Sequence, residues 1–235
     1  MNKAQKTAAF KTAFITGATI FIMGYVNGLA LHTGQMGYHA ELNAMVTAQS
    51  GNVIWMGLNP AFGQWDRFGS NLMLFFGFIF GCGFAFMNQN LIKHKTAQFF
   101  FNWALFTLPV ALFPFYQAHV NSQVAFLMMG LSSGFGCGFF RKMYHLDINN
   151  AMATGSVRFL GVWFGEAAFN KKDKGFLTLG LFAICVVLFS LGAFLFGIAF
   201  NMDNAGTTSF SMVTVLLLVI CVIPCLFAPS NKSEA

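Results

Sequence analysis

The sequence predicts an all-α fold: a polytopic membrane helix bundle of six spans, arranged as a 3+3 inverted repeat with two re-entrant or half-inserted segments. The first reason is composition, because 57% of the 235 residues are hydrophobic and only 9% are charged, whereas soluble domains carry about 25% charged residues. The second is a set of long uncharged stretches, and the third is a polar motif that occurs twice. We expect one integral membrane domain over residues 1–235, with repeat halves of about 12–118 and 120–231.

Six uncharged stretches are long enough to cross a bilayer as helices, since a span needs about 20 apolar residues at about 1.5 Å per residue. They run over residues 12–31, 68–92, 96–118, 120–140, 175–202 and 205–231. The first stretch follows three lysines, as in a signal peptide, but it is longer than the typical signal-peptide core of about 7–15 residues. We therefore expect it to remain as the first span.

The distribution of lysine and arginine predicts the orientation of these spans. With six spans and a cytoplasmic N-terminus, only Arg67 of the 13 basic residues faces the outside. The other twelve face the cytoplasm: Lys3, Lys6, Lys11, Lys93, Lys95, Arg141, Lys142, Arg158, Lys171, Lys172, Lys174 and Lys232. This asymmetry follows the positive-inside rule. It predicts a multi-pass protein of the inner (plasma) membrane with both termini in the cytoplasm.

A short motif occurs once in each half, between the first two spans of that half. Ser50-Gly51-Asn52-Val53-Ile54-Trp55-Met56-Gly57 aligns without gaps with Thr154-Gly155-Ser156-Val157-Arg158-Phe159-Leu160-Gly161. Each copy has a hydroxyl residue, a glycine and a small polar residue, followed by an apolar run that ends in glycine. Internal repeats with a site between them are typical of membrane transporters.

An alternative interpretation makes both motif segments full spans, eight in total. Residues 42–65 are uncharged and could cross alone. Their counterpart in the second half, residues 148–157, has only ten uncharged residues before Arg158 interrupts it, which is about 15 Å of helix. Eight spans would also lower the charge asymmetry to nine basic residues inside against four outside. We therefore favour re-entrant segments that are buried against protein rather than lipid.

A second match supports the duplication. Gly24-x-x-Asn27-Gly28, near the end of the first span, aligns with Gly134-x-x-Cys137-Gly138 near the end of the fourth. Each half then consists of a span, a motif segment and two more spans, and the odd number of spans makes the second half enter from the opposite side. Because glycines four apart allow close helix contact, we expect the first and fourth spans to pack together at the pseudo-symmetry axis. We interpret Gly77-xxx-Gly81 as a packing contact only.

These motifs resemble the YoaK-like family of bacterial membrane proteins, a domain of unknown function. The resemblance rests on Gly24-Tyr25-Val26-Asn27, on Ser50-Gly51-Asn52 with the run to Gly57, and on Arg141-Lys142 followed by Thr154-Gly155-Ser156 and Leu160-Gly161. The chain differs at Asn27, where the family is usually acidic, and at Cys137, where an amide is usual. The resemblance implies six spans and no particular activity. Any proton-carrying role of the acidic residue in relatives is not implied for Asn27.

The motif residues form the candidate substrate-binding site. A hydroxyl residue before glycine and an apolar run is typical of a helix that begins inside the membrane, where the hydroxyl caps backbone N–H groups and glycine lets a backbone or ligand approach. The N-terminus of such a helix carries about half a positive charge and favours an anion or a carbonyl oxygen. The predicted binding residues are Asn27, Ser50, Gly51, Asn52, Thr154, Gly155, Ser156 and Arg158. Two alternatives stay open: Arg158 snorkels to the cytoplasmic interface, and the Ser/Thr-Gly pair forms only a tight turn.

The function that fits these features best is a transporter or channel for a small polar or anionic solute. The alternative is a structural or assembly protein of the membrane, in which the motifs only pack. We do not expect an enzyme, because the spans carry no cluster of histidine, cysteine and carboxylate. We also expect no metal, cofactor or nucleic-acid partner, because the five cysteines lie in apolar runs without zinc-site spacing and the basic residues lie between the spans. The expected partner is the lipid bilayer, and the Phe-rich exterior permits a homo-oligomer.

Overall fold

The computed structural model describes residues 3–31, 46–112, 122–140, 142–143, 146–147, 158–162, 164–165 and 173–201. Six helices in these ranges are named here: α1 (Lys3–Leu31), α2 (Gln49–Ala61), α3 (Trp65–Leu91), α4 (Lys95–Ala111), α5 (Ser122–Phe139) and α6 (Asp173–Asn201). Residues 158–162 are a further helical segment. A two-residue antiparallel ladder joins β1 (Lys142–Met143) to β2 (Leu146–Asp147). Apart from this ladder, the described part of the chain is helical or irregular, as the predicted all-α class requires.

Among the described residues, three helical segments are long and apolar enough to cross a membrane: Thr7–Ala30, Trp65–Leu91 and Thr178–Ile198. They coincide with the predicted first, second and fifth spans. The third and fourth predicted spans correspond to the shorter helices α4 and α5, of 17 and 18 residues. The sixth predicted stretch, 205–231, lies outside the described residues. Large apolar side chains such as Phe84 and Phe194 are exposed on these helices, which suits a surface that contacts lipid.

Among the described helices, the longest stretch of close backbone contact joins α3 and α5. A Cβ atom added to Gly77 would overlap the carbonyl of Leu127, and one added to Gly81 would overlap the carbonyl of Leu131. The contact is reciprocal, because two glycines of α5 face the backbone of α3 in the same way. Gly130 lies against Leu74 O and Gly77 Cα, and Gly134 lies against Phe78 O and Gly81 Cα. Residue numbers rise together along both helices, so α3 and α5 run parallel. The packing role predicted for Gly77-xxx-Gly81 is confirmed.

A second glycine-mediated contact joins α1 and α6. A Cβ atom on Gly24 would overlap the carbonyl of Phe189, and one on Gly192 would overlap the carbonyl of Phe21. Farther along, Gly28 lies against the ring of Phe196, so α1 and α6 also run parallel.

These contacts correct one prediction from the sequence. The Gly-xxx-Gly faces of the first and fourth spans do not face each other, because Gly24 and Gly28 face α6 while Gly134 and Gly138 face α3. The spacing of small residues marks a flat helix face, but it does not identify the helix that covers that face. α1 and α5 still meet, through Met23 at Gly136.

Helix α4 packs antiparallel to α5 through aromatic side chains. Phe140, which follows α5, contacts Phe99, Trp103 and Phe106 at ring-centroid distances of 5.8, 5.2 and 5.9 Å. The Ser132 hydroxyl donates to the carbonyl oxygen of Phe106. This contact fixes α5 between α3 and α4, with its polar serine pair turned into the bundle.

Candidate functional site

The first motif segment forms a helix that is too short to cross a bilayer. Helix α2 has 13 residues, which gives a length of about 20 Å, whereas the hydrocarbon core is about 30 Å thick. The helix ends at Ala61, just after Pro60, and a turn with a positive φ of 71° at Gly63 leads into α3. The segment thus has the length of a half-inserted helix.

The N-terminal end of α2 lies beside the middle of α3 and α5. The carbonyl oxygen of Val46, just before α2, accepts a hydrogen bond from Ser133 Oγ at 3.1 Å. Ser133 is next to Gly134, which packs against Gly81 near the centre of α3. At its other end α2 turns directly into the start of α3, so α2 and α3 run antiparallel.

Buried polar side chains surround this end of α2, and we call them the amide cluster: Asn27, Thr47, Gln49, Asn52 and Ser133. Asn27 Nδ2 donates to Thr47 Oγ1 at 2.6 Å and to the carbonyl of Met23 at 2.9 Å. The backbone N–H of Thr47 donates back to Asn27 Oδ1 at 3.3 Å. This reciprocal pair fixes the chain just before α2 against α1.

The rest of the amide cluster converges on Val46 and Asn52. Gln49 Nε2 donates to the carbonyl of Val46 at 2.9 Å, which is the same oxygen that accepts from Ser133. Asn52 Nδ2 donates to Gln49 Oε1 at 3.2 Å. The cluster therefore links α5 and α1 to the N-terminal end of α2, and none of its side chains carries a charge.

All five members of the amide cluster are buried, and Asn52 is 0% exposed. Burying an amide or hydroxyl without a partner is unfavourable by about 1–3 kcal/mol in proteins, so such groups are almost always hydrogen-bonded. The observed network meets that requirement. It leaves the N-terminal end of α2 in polar surroundings within an otherwise apolar bundle.

The first two motif residues occupy different surroundings from Asn52. Ser50 is exposed, and a Cβ atom added to Gly51 would meet no described atom within 4 Å. The N-cap of α2 is Ala48, which makes no side-chain capping bond. The predicted capping role of the motif hydroxyl is therefore wrong for the first copy, because α2 begins at Gln49 and Ser50 already lies in its first turn.

In the second motif only part of the predicted site is described. Thr154, Gly155 and Ser156 lie outside the described residues, while Arg158 is exposed at the start of the helical segment 158–162. The next residue, Phe159, stacks on Phe182 of α6 with a centroid distance of 5.0 Å. The described part of the second motif segment thus contacts α6 through Phe159, as α2 contacts α3.

The structure places Asn27 and Asn52 in the same polar cluster, in two hydrogen-bonded groups that meet at the adjacent residues Val46 and Thr47. It also adds residues that sequence reasoning missed. Thr47, Gln49 and Ser133 complete the amide cluster. The sequence carries one signal for them, because Ser132-Ser133 is a polar pair inside an apolar stretch. Solute binding by any of these residues stays a prediction.

A second polar region lies at the other end of α2. Trp55 and Asn59 of α2, with Arg67 and Asn71 of α3, line a small cavity. Arg67 Nη1 donates to Gln64 Oε1 at 3.1 Å, and Asn71 Nδ2 donates to the carbonyl of Arg67 at 2.9 Å. The polar side chains of α2 are thus concentrated at its two ends.

The elements define a class of protein: a helical bundle of membrane type in which a helix too short to span begins among buried amides. The chain belongs to the family described as "Protein of unknown function (DUF1275)", whose model matches residues 15–223. This match confirms the family resemblance seen in the sequence motifs. No curated protein and no solved structure matches the chain.

Proposed function

We propose that this protein moves a small polar or anionic solute across the inner membrane, with the solute site at the N-terminal end of α2. The observation that carries the proposal is the amide cluster, in which a helix too short to span begins among buried neutral donors and acceptors. Broken helices that end near the midplane are a recurrent way to bind solutes in transporters.

The proposed solute class follows from the groups at the site. The amide cluster contains Asn, Gln, Thr and Ser side chains and no carboxylate. The start of α2 adds the positive end of a helix dipole, equivalent to about half a charge. This chemistry favours a neutral polar solute or an anion over a cation. We propose Arg158 and the second motif as the other wall of the site.

The proposed transporter is an inverted repeat of two halves, with α1 equivalent to α5 and α3 equivalent to α6. Two parallel helix pairs support this arrangement, because α1 packs on α6 while α3 packs on α5. In each pair the first span of one half contacts the second span of the other half. This is the pairing that a two-fold axis in the membrane plane would produce.

We further propose six spans, with both termini in the cytoplasm. Helix directions support this number, because α1 runs opposite to α5. Met23 of α1 contacts Gly136 of α5. One turn later in α1, Asn27 bonds Thr47, and the neighbouring Val46 bonds Ser133, which lies nearly one turn before Gly136 in α5. With eight spans, α1 and α5 would run in the same direction. The short length of α2 favours the same conclusion.

Flux measurements test the transport proposal. Wild-type protein in liposomes should accelerate swelling with a small neutral solute, or the quenching of a trapped dye by iodide. The variants Asn27→Ala, Asn52→Ala and Arg158→Ala should abolish that flux while still accumulating as folded protein. Asn90→Ala is the matched control, because Asn90 is an exposed asparagine of α3 whose side chain, among the described residues, donates only to the carbonyl of Phe86. Normal flux in all three site variants would contradict a site at the cluster.

Accessibility to water provides a test that needs no known solute. Single cysteines at positions 50–57 and 154–161, in a background without native cysteines, should react with a membrane-impermeant maleimide. Transport predicts reaction at both segments from opposite sides of the membrane.

The second candidate function is a structural or assembly role, and one observation favours it. Every side chain of the amide cluster has a hydrogen-bond partner within the protein, as expected if the cluster only holds helices together. This role predicts uniform protection of both motif segments from the maleimide, no flux for the wild type and a co-purifying membrane partner.

A further inference from the structure

The cavity between α2 and α3 has properties that the proposed function does not use. It has a volume of about 10 Å³ and is lined by Trp55, Asn59, Arg67 and Asn71. Arg67 and Asn71 are four residues apart on α3, which places them on one face of that helix. The turn at Gly63 brings this face of α3 against the last turns of α2.

Two asparagines in this cavity have polar atoms that lack partners among the described residues. Asn71 is 2% exposed, and its Oδ1 is buried without a hydrogen-bond donor. Its amide group is oriented by the bond from Nδ2 to the carbonyl oxygen of Arg67. If the amide oxygen and nitrogen exchanged positions, Asn71 Oδ1 would face that carbonyl oxygen, and neither atom can donate a hydrogen bond. Asn59 is also 2% exposed, and its side chain makes no hydrogen bond to any described residue.

These groups define the chemistry of an occupant. It must donate a hydrogen bond to Asn71 Oδ1, and it can either accept from the Asn59 amide nitrogen or donate to the Asn59 amide oxygen. A halide ion cannot donate to Asn71 Oδ1, and an ammonium ion would lie beside the positive guanidinium of Arg67. The cavity volume also matches a single water molecule, which needs a cavity of about 10–15 Å³ and two to four polar partners.

We propose that this cavity binds one ordered water molecule, which bridges Asn59 of α2 and Asn71 of α3. The water donates the hydrogen bond that Asn71 Oδ1 lacks, and it connects the C-terminal end of α2 to α3. The site is independent of the amide cluster and of transport, because it lies at the opposite end of α2.

The first test is the thermal stability of variants in detergent. Asn71→Leu should lower the unfolding midpoint by about 2–4 °C, the shift that the loss of one such bridge causes in a chain of this size. Asn59→Leu should lower it similarly, and the double variant should fall no further than either single variant, because both remove the same bridge. Asn90→Leu is the control: Asn90 makes the same bond to the carbonyl four residues back but is exposed, so its midpoint should not move.

The opposite result would overturn the proposal. If the Asn71 oxygen has no partner in the native protein, Asn71→Leu removes an unfavourable buried acceptor and the midpoint stays constant or rises. Additive losses in the double variant would likewise exclude a shared bridge.

The second test is crystallographic and needs only the wild-type protein, so it stands even if Asn71→Leu accumulates poorly. Crystals grown in a lipidic mesophase should show a solvent peak about 3 Å from both Asn71 Oδ1 and a polar atom of the Asn59 amide. Growth in bromide should leave that peak without anomalous signal. An anomalous bromide peak, or no peak in a map that resolves other ordered water molecules, would contradict the assignment.

Discussion

At the level of single residues, the amide cluster depends on groups that are far apart in the chain. Asn27 and Asn52 were predicted as site residues because they flank or belong to repeated motifs. Thr47, Gln49 and Ser133 were not, because their roles depend on contacts between α1, α2 and α5. Spacing within one helix does not contain that information. Asn27 also shows why an amide suits this position, since it donates to Met23 O and Thr47 Oγ1 and accepts from the Thr47 N–H.

We expect Asn27→Ala to destabilise the folded protein by about 1–3 kcal/mol, because it leaves the buried Thr47 N–H without its acceptor. The measurement is the unfolding midpoint in detergent, followed by size-exclusion chromatography. Asn90→Ala, at an exposed asparagine of α3, should leave the midpoint unchanged. Equal midpoints for Asn27→Ala and wild type would show that the hydrogen bonds from Asn27 to Thr47 contribute no net stability.

At the level of elements, sequence reasoning predicted a re-entrant or half-inserted segment, and the helix found there has about two thirds of the length that a span needs. Its first residue was harder to predict, because the N-cap is Ala48, which has no side chain that could mark the helix start. Glycine spacing identified faces for close packing on α1 and α5 but assigned them to the wrong partners. A small-residue face is a local property, whereas the choice of partner depends on how all helices fill the bundle.

The glycine contact between α3 and α5 leads to a prediction about substitution. Gly77→Leu should destabilise the bundle by about 1–3 kcal/mol or more, because its Cβ would overlap the carbonyl of Leu127 and force the helices apart. Gly83→Leu is the matched control on the same helix, since Gly83 is exposed and an added Cβ there meets no described atom within 4 Å. The yield of monodisperse protein and its unfolding midpoint measure the effect. Similar losses at both positions would point to helix propensity rather than close packing.

At the level of the whole molecule, the number of spans determines which side of the membrane each turn occupies. Six spans place the turn around Gln64 outside and the turn around His94 in the cytoplasm, whereas eight spans reverse both positions. Gln64→Cys and His94→Cys, each in a background without other cysteines, should therefore react with an impermeant maleimide from opposite sides: Gln64→Cys in intact spheroplasts and His94→Cys only after lysis. The reverse pattern would establish the eight-span alternative.

The crossed helix pairs lead to a prediction about the two sequence halves. Since α1 packs on α6 and α3 packs on α5, the close glycine-mediated backbone contacts of the described helices join one half of the sequence to the other. Residues 1–118 expressed alone should expose the glycine faces of α1 and α3 and should aggregate on solubilisation. Co-expression with residues 119–235 should restore a monodisperse complex, and Gly77→Leu in the first fragment should prevent its formation while Gly83→Leu should not. If the first fragment alone gives a monodisperse, thermally cooperative protein, each half folds around its own contacts and the crossed arrangement is wrong.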